Sequence, residues 1–139
     1  MFKKNIWLKT YYLYFTLILF SIVFINCKDE INATDIDDRS IPEKNVSFAR
    51  DIAPIFEYKC NFSGCHSDGV NSDYIMTSWS GVTTYPIVIP GNPDNSILVL
   101  RITGRVPPVM PPIGSYATPI TSEQERGIRT WIKEGAENN

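Results

Sequence analysis

Apolar residues recur at helical spacing in two stretches of the chain, one beginning shortly after residue 45 and one near the C-terminus. The stripes comprise Phe48, Ile52, Ile55 and Phe56 in the first stretch and Ile128, Trp131 and Ile132 in the second. Such a stripe predicts an amphipathic helix that buries one face. We expect the two helices to cross, with Phe56 and Trp131 in contact.

The ends of the first helix are marked by residues with known positional preferences. Asp51 is a good N-cap, and a start there leaves Pro54 in the first turn, where the missing N–H of proline is tolerated. The alternative is a start at Ser47 with a kink at Pro54, and we favour Asp51. In both cases the helix ends near Lys59 and places Cys60 at its C-terminal end.

The C-terminal helix carries signals at both ends. Thr121 pairs with Gln124, and Ser122 with Glu125, as overlapping capping boxes. Gly135 suits the position just beyond the last helical turn. These residues predict one helix between them.

Shorter elements are predicted in the middle of the chain. Residues 79–82 are consistent with a brief helix. The turn over 90–93 precedes a second short helix over 96–102, with Asn92 as a cap and Pro93 at the first helical position. The residues of that helix expected to face inward are Ile97, Leu98 and Ile102.

The N-terminus has the order of an export signal. A basic cluster over residues 1–9 precedes an apolar run over 11–25, and Cys27 follows. The run is shorter than the roughly 20 residues that a spanning helix needs. We therefore predict a lipoprotein signal peptide over 1–26, with Cys27 as the lipidated residue. The alternatives are a retained signal anchor and an ordinary cleavage site.

Residues 28–45 are polar and acidic and lack periodic apolar positions. Together with Cys27 they predict a solvated tether over 27–45, followed by one small domain over 46–139. Removal of residues 1–26 takes away three lysines and no acids, leaving ten basic against fifteen acidic residues, a formal charge of −5. That charge favours a basic protein partner over nucleic acid. We expect a monomer on the periplasmic side or on the outer-membrane surface.

Two cysteines and the only histidine of the chain stand in one stretch, residues 60–66, which reads CNFSGCH. In this order they are the attachment signature of a c-type haem. Cys60 and Cys65 would form thioethers to the porphyrin, and His66 would be the proximal axial ligand. Four residues separate the cysteines instead of the usual two, and Ser63-Gly64 can form a turn that lets the insert bulge outward.

Other uses of these side chains compete with haem. A disulfide between Cys60 and Cys65 can be closed by a turn in an oxidising compartment. A structural zinc site needs four Cys or His ligands, and the mature chain offers three at most. Blue copper needs two histidines, and the chain has one.

Met110 lies among four prolines, at positions 107, 108, 111 and 112. Each proline fixes φ and biases its predecessor away from helix, so the loop is predicted to be stiff and extended. Such a loop suits a thioether held at a fixed distance from iron, and Met110 is the candidate distal ligand. The alternative is a core-filling methionine. Met76 fits a core position, and Arg101 could reach a haem propionate, although such an arginine is more often solvated or paired.

These motifs together resemble the small class I-like c-type cytochrome domains of exported bacterial lipoproteins. The matching pieces, in family order, are residues 48–56, Cys60 with Cys65-His66, 88–93 with Ser96, 110–112 and 128–136, and they cover roughly residues 46–137. The resemblance implies an all-α cytochrome c fold, with crossing terminal helices and loops around one covalent haem c. It carries the thioethers to Cys60 and Cys65 and the iron ligands to His66 and Met110.

The expected function is one-electron transfer by a membrane-tethered carrier, not enzymatic catalysis. If Met110 does not bind iron, an open position could take up a small ligand, as in a haem sensor. No distal histidine is present to assist peroxide cleavage, so peroxidase activity is not expected. The haem-free alternative is a structural lipoprotein with a Cys60–Cys65 disulfide.

Overall fold

The computed structural model describes residues 3–23, 33–67 and 74–139. They belong to two units, residues 1–30 and 31–139, each of which is described by itself. All regular secondary structure in the described ranges is helical, without a strand. The prediction of an all-α chain is confirmed at this level.

The first unit contains one helix, α1, Lys3–Val23. The described side chains of this helix, residues 7–17, are exposed. Among the residues that the structure describes, no helix combines the length and the apolar character needed to cross a membrane. Cys27 lies outside the described residues, so its lipidation stays a prediction.

The second unit is built from short helical elements around one apolar core. They are α2 (Ala33–Asp37), a π-helical turn (Phe48–Ile52), α3 (Ala53–Lys59), α4 (Trp79–Val82), a 3-10 turn (Pro93–Asn95), α5 (Ile97–Ile102) and α6 (Ser122–Lys133). The brief helix predicted over 79–82 is confirmed as α4. The largest fully buried apolar side chains include Phe56, Ile52, Ile128, Trp131 and Ile132. The two predicted apolar stripes therefore form the centre of the core.

The helical segment that leads to Cys60 has its N-cap at Ser47, so the predicted N-cap at Asp51 is wrong. The Ser47 hydroxyl accepts from the Arg50 N–H at 3.3 Å, and the Asp51 carboxylate accepts from the Ser47 N–H at 2.9 Å. The two side chains thus cap the helix start reciprocally. The Ala53 N–H then bonds to the Phe48 carbonyl, a wide π turn, and Pro54 follows where α3 begins. The end at Lys59 is as predicted.

The contact expected between Phe56 and Trp131 is corrected by the same shift. The ring that lies against Trp131 is Phe48, with centroids 5.4 Å apart and planes inclined by 37°. Because the helix starts at Ser47, Phe48 stands in its first turn, and this turn packs on α6. Phe56 is nevertheless buried in the same core.

Helix α6 agrees closely with its sequence signals. The Thr121 hydroxyl accepts from the Gln124 N–H at 3.2 Å, and the Gln124 side chain accepts from the Thr121 N–H at 3.0 Å. The predicted capping box of Thr121 with Gln124 is therefore confirmed. Gly135 follows the helix with φ of +109°, a conformation that glycine adopts without strain.

Helix α5 is the predicted helix over 96–102, with its start one residue later. The Ser96 hydroxyl is buried and donates to the Asn92 carbonyl at 2.9 Å, which joins the preceding turn to the helix. The 3-10 turn has Pro93 at its first position. The side chains of Leu98 and Val99 are buried, and those of Ile97 and Ile102 are half-buried.

The segment 33–46, called the strap below, is part of the domain, so the prediction of a solvated tether is wrong from residue 33 onward. Its apolar residues Ile36, Ile41 and Val46 are 1 to 3% exposed. Gln124 donates to the Ile36 carbonyl at 3.0 Å. Ile41 lies against Gly127, where an added Cβ would be 2.7 Å from its Cγ2 atom. The strap therefore contributes to the core although its sequence is polar overall.

Candidate functional site

The CNFSGCH stretch forms a closed loop at the end of α3. The Cys60 N–H donates to the Phe56 carbonyl at 2.9 Å, so Cys60 is held by the last turn of the helix. The His66 N–H donates to the Cys60 carbonyl at 3.2 Å and closes the loop. Gly64 has φ of +87°, the left-handed conformation that the predicted turn requires. The loop thus brings Cys60, Cys65 and His66 together by backbone hydrogen bonds.

The imidazole of His66 is oriented by a backbone carbonyl. Its Nδ1 atom lies 3.1 Å from the carbonyl oxygen of Tyr74. A carbonyl oxygen can only accept, so Nδ1 carries the proton and Nε2 of the neutral ring carries the lone pair. Metal-binding histidines commonly make this second contact, because it fixes the tautomer and the ring orientation. The arrangement prepares Nε2 as a ligand atom.

Both cysteines of the loop are free thiols and partly buried. Burial raises the pKa of Cys60 to about 12, the neighbouring Cys65 adds to the rise, and the Lys59 ammonium opposes it. Cys60 is therefore a neutral thiol at physiological pH. The alternative disulfide is not formed in this structure.

Met110 lies on the proline-rich loop after α5 and is half-buried. Its N–H donates to the Arg101 carbonyl at 3.1 Å, and the Arg101 guanidinium donates to the Pro108 carbonyl at 3.2 Å. Arg101 therefore binds the start of this loop, so it is paired within the domain. The prediction that Arg101 reaches a propionate remains untested.

Met76 is 5% exposed and belongs to the core, as predicted. It follows Tyr74, whose carbonyl orients His66. Of the two methionines after Cys27, Met76 is buried and Met110 is half-buried. The ligation of iron by Met110 stays a prediction.

The residues present fit a covalently attached haem. Two free thiols and an imidazole whose Nδ1 is engaged by a carbonyl are the donor chemistry that the group needs, and one short loop supplies all three. Cys60 and Cys65 would hold the porphyrin, and His66 would bind its iron. In the described part of the chain, no three Cys, His, Asp or Glu side chains converge as ligands of a bare metal ion.

Two features of this region were missed by the sequence interpretation. The Tyr74 carbonyl has no signal in the sequence, because any residue offers a backbone oxygen. Lys59, next to Cys60, has a side chain that is 1% exposed, although lysine is almost never fully buried. The only feature of the sequence that could have drawn attention to Lys59 is its position directly before the CNFSGCH stretch.

Comparison with protein-family models, with curated proteins and with solved structures finds no match to this chain.

Proposed function

We propose that this chain is a mono-haem c-type cytochrome that carries one electron at a time, with a cytochrome c-like arrangement of its helices. The observation that carries the proposal is the loop of residues 60–66, which holds two free thiols and an imidazole oriented by the Tyr74 carbonyl. When bound, haem supplies an iron that cycles between ferrous and ferric states. The resemblance stated above supports the same function.

The roles of the protein residues follow from this arrangement. Cys60 and Cys65 fix the group covalently, so it is retained without a large enclosing pocket. His66 presents Nε2, and the Tyr74 carbonyl keeps the ring from turning. Met110 would supply a further ligand to the iron, and its thioether would favour the reduced state relative to a second imidazole.

Export and lipidation at Cys27 complete the proposal. The signal over 1–26 would be removed, and Cys27 would carry the lipid that holds the domain at the membrane. The mature chain has a formal charge of −5, which suits a basic redox partner. We expect the carrier to be monomeric and without catalytic activity of its own.

A haem-stained denaturing gel tests covalent attachment. The chain is expressed in an exporting host that matures c-type cytochromes, beside Cys60→Ala, Cys65→Ala and the control Cys27→Ala. We expect the colour to survive denaturation in the parent and in Cys27→Ala, and to be reduced or lost in the other two, because only Cys60 and Cys65 form thioethers. A colourless parent in a competent host would overturn the proposal and favour the disulfide-stapled lipoprotein.

Carbon monoxide binding to the ferrous protein tests the distal ligand. If Met110 occupies the iron, carbon monoxide has to compete with it. The apparent affinity of the parent is then the intrinsic affinity multiplied by the small fraction of protein in which the iron is open. We expect Met110→Ala to bind roughly tenfold more tightly or more. The control Ile113→Ala, at a position 93% exposed on the same loop, should match the parent. Equal affinities in parent and Met110→Ala would exclude Met110 as the ligand and favour the sensor alternative.

A further inference from the structure

Lys59 is a cation buried in the domain, with a side chain that is 1% exposed. Its Nζ atom lies 2.5 Å from a carboxylate oxygen of Asp37, 2.7 Å from the Thr118 hydroxyl and 2.8 Å from the Pro119 carbonyl. An ammonium group has three N–H donors, and each is used here. Removal of a charge from water is costly, and this complete set of acceptors offsets the cost.

The acceptors belong to two segments that are distant in the sequence. Asp37 ends α2 in the strap, whereas Thr118 and Pro119 end the loop that contains Met110. Lys59 itself ends α3, directly before Cys60. One side chain therefore ties the strap and the end of this loop to the residue that precedes the first thioether cysteine.

The loop over residues 107–119 has few other attachments. Its beginning is bound by Arg101 through Met110 and Pro108. In the described part of the chain, the hydrogen bonds of residues 111–117 are local ones made by Ser115. Ile113 and Tyr116 are 93% and 101% exposed. Polar anchors at the two ends, not apolar packing in the middle, hold the loop.

We infer that Lys59 is a positioning residue that closes the 107–119 loop onto the domain and thereby sets the place of Met110. The second clause rests on the proposed function, whereas the first does not. An apolar side chain of equal length could fill the space, but it could not bind a hydroxyl and a carbonyl at fixed positions. Only the directional hydrogen bonds of the ammonium group can hold the strap and the end of the 107–119 loop at the end of α3.

Cleavage by chymotrypsin after Tyr116 tests the closure of the loop. Lys59→Met keeps the length of the side chain and removes the ammonium group, and Lys133→Met changes an exposed lysine as a control. Cleavage requires the segment around Tyr116 to extend into the protease, which the anchored ends of the loop oppose, so its rate follows the local opening equilibrium. We expect about tenfold faster cleavage in Lys59→Met, because hydrogen bonds to a charged group are lost, and parent-like cleavage in Lys133→Met.

Two controls distinguish local opening of the loop from global unfolding of the domain: a cleavage site in the core and a milder substitution. Cleavage after the buried Trp131 reports unfolding of the domain and should change less than cleavage after Tyr116. Thr118→Val removes one exposed acceptor and should accelerate cleavage after Tyr116 about threefold, even if Lys59→Met fails to fold. Parent-like rates after Tyr116 in both Lys59→Met and Thr118→Val would overturn the inference.

The haem-loaded protein tests the consequence for Met110. We expect Lys59→Met to retain covalent haem on a denaturing gel and to bind carbon monoxide several-fold more tightly than the parent, with a lowered reduction potential. Faster cleavage combined with unchanged affinity and potential would overturn the positioning of Met110. A parent without covalent haem would overturn the proposed function and that clause, while the cleavage rates would still decide the closure of the loop.

Discussion

The Asp51 carboxylate is buried at the start of the first domain helix, with 4% of its side chain exposed. Burial alone would raise its pKa, but hydrogen bonds from the Arg50 guanidinium and the Ser47 N–H outweigh burial and hold the pKa below its ordinary value. A carboxyl group whose pKa is lower in the folded state stabilises the fold when it is ionised. Asp51 therefore stabilises the helix start at neutral pH.

The stability contributed by Asp51 should depend on pH. It is fully present above the unfolded pKa of 3.8 and is lost as the pH falls through the lower pKa of the folded state. We expect the parent to lose more stability than Asp51→Asn when urea unfolding at pH 7 is compared with pH 3, because only the parent loses the ionised carboxylate. Asp38→Asn, at an exposed position, is the control and should follow the parent. Equal losses in the parent and Asp51→Asn would contradict the role of the charge.

At the scale of residues, the meeting of side chains in one loop was predictable where they are close in sequence. Cys60, Cys65 and His66 are adjacent in sequence, so their meeting in one loop needed no knowledge of the fold. Lys59 and Thr118 are 59 residues apart, and their hydrogen bond depends on how the whole domain folds. The Tyr74 carbonyl that orients His66 is a backbone group, whose use leaves no trace in residue identity.

At the scale of elements, the sequence predicted features that depend on neighbouring residues, and it failed for those that depend on packing between distant segments. The capping box of α6 lies within four residues, and it was predicted correctly. The strap was missed because Ile36, Ile41 and Val46 are spaced five apart, which matches neither a helical nor a strand period. Its burial comes from single apolar residues in a polar segment, and only the folded core shows where they pack.

Stability measurements can decide whether the strap belongs to the domain. Ile36 is 2% exposed, so Ile36→Ala should lower the free energy of unfolding by about 2 to 4 kcal/mol through lost burial and the cavity left behind. Asp38→Ala, at an exposed position directly after the same short helix, should change it by less than about 0.5 kcal/mol. The two variants are compared by urea denaturation, and equal midpoints would support the prediction that this segment is a solvated tether.

At the scale of the whole molecule, Asn139 lies against the first residues of the Phe48–Ile52 turn. The Phe48 N–H donates to the Asn139 side chain at 2.7 Å, and the Ala49 N–H donates to the Asn139 carbonyl oxygen at 3.0 Å. The sequence predicted that the helix before Cys60 meets the C-terminal helix, because each carries a strong apolar stripe. It placed the contact at Phe56 instead of Phe48, because the helix start was set one turn too late.

The burial of the strap changes how far the domain can travel from the membrane. With the lipid on Cys27, as proposed, the chain between Cys27 and Ala33 spans at most about 20 Å, whereas a free segment up to Val46 would span about 65 Å. The volume that the domain can sweep falls by about thirtyfold, the cube of that ratio. Electron exchange would then depend on lateral encounters with a partner at the same membrane surface, because the domain could not reach across the periplasm to a distant one.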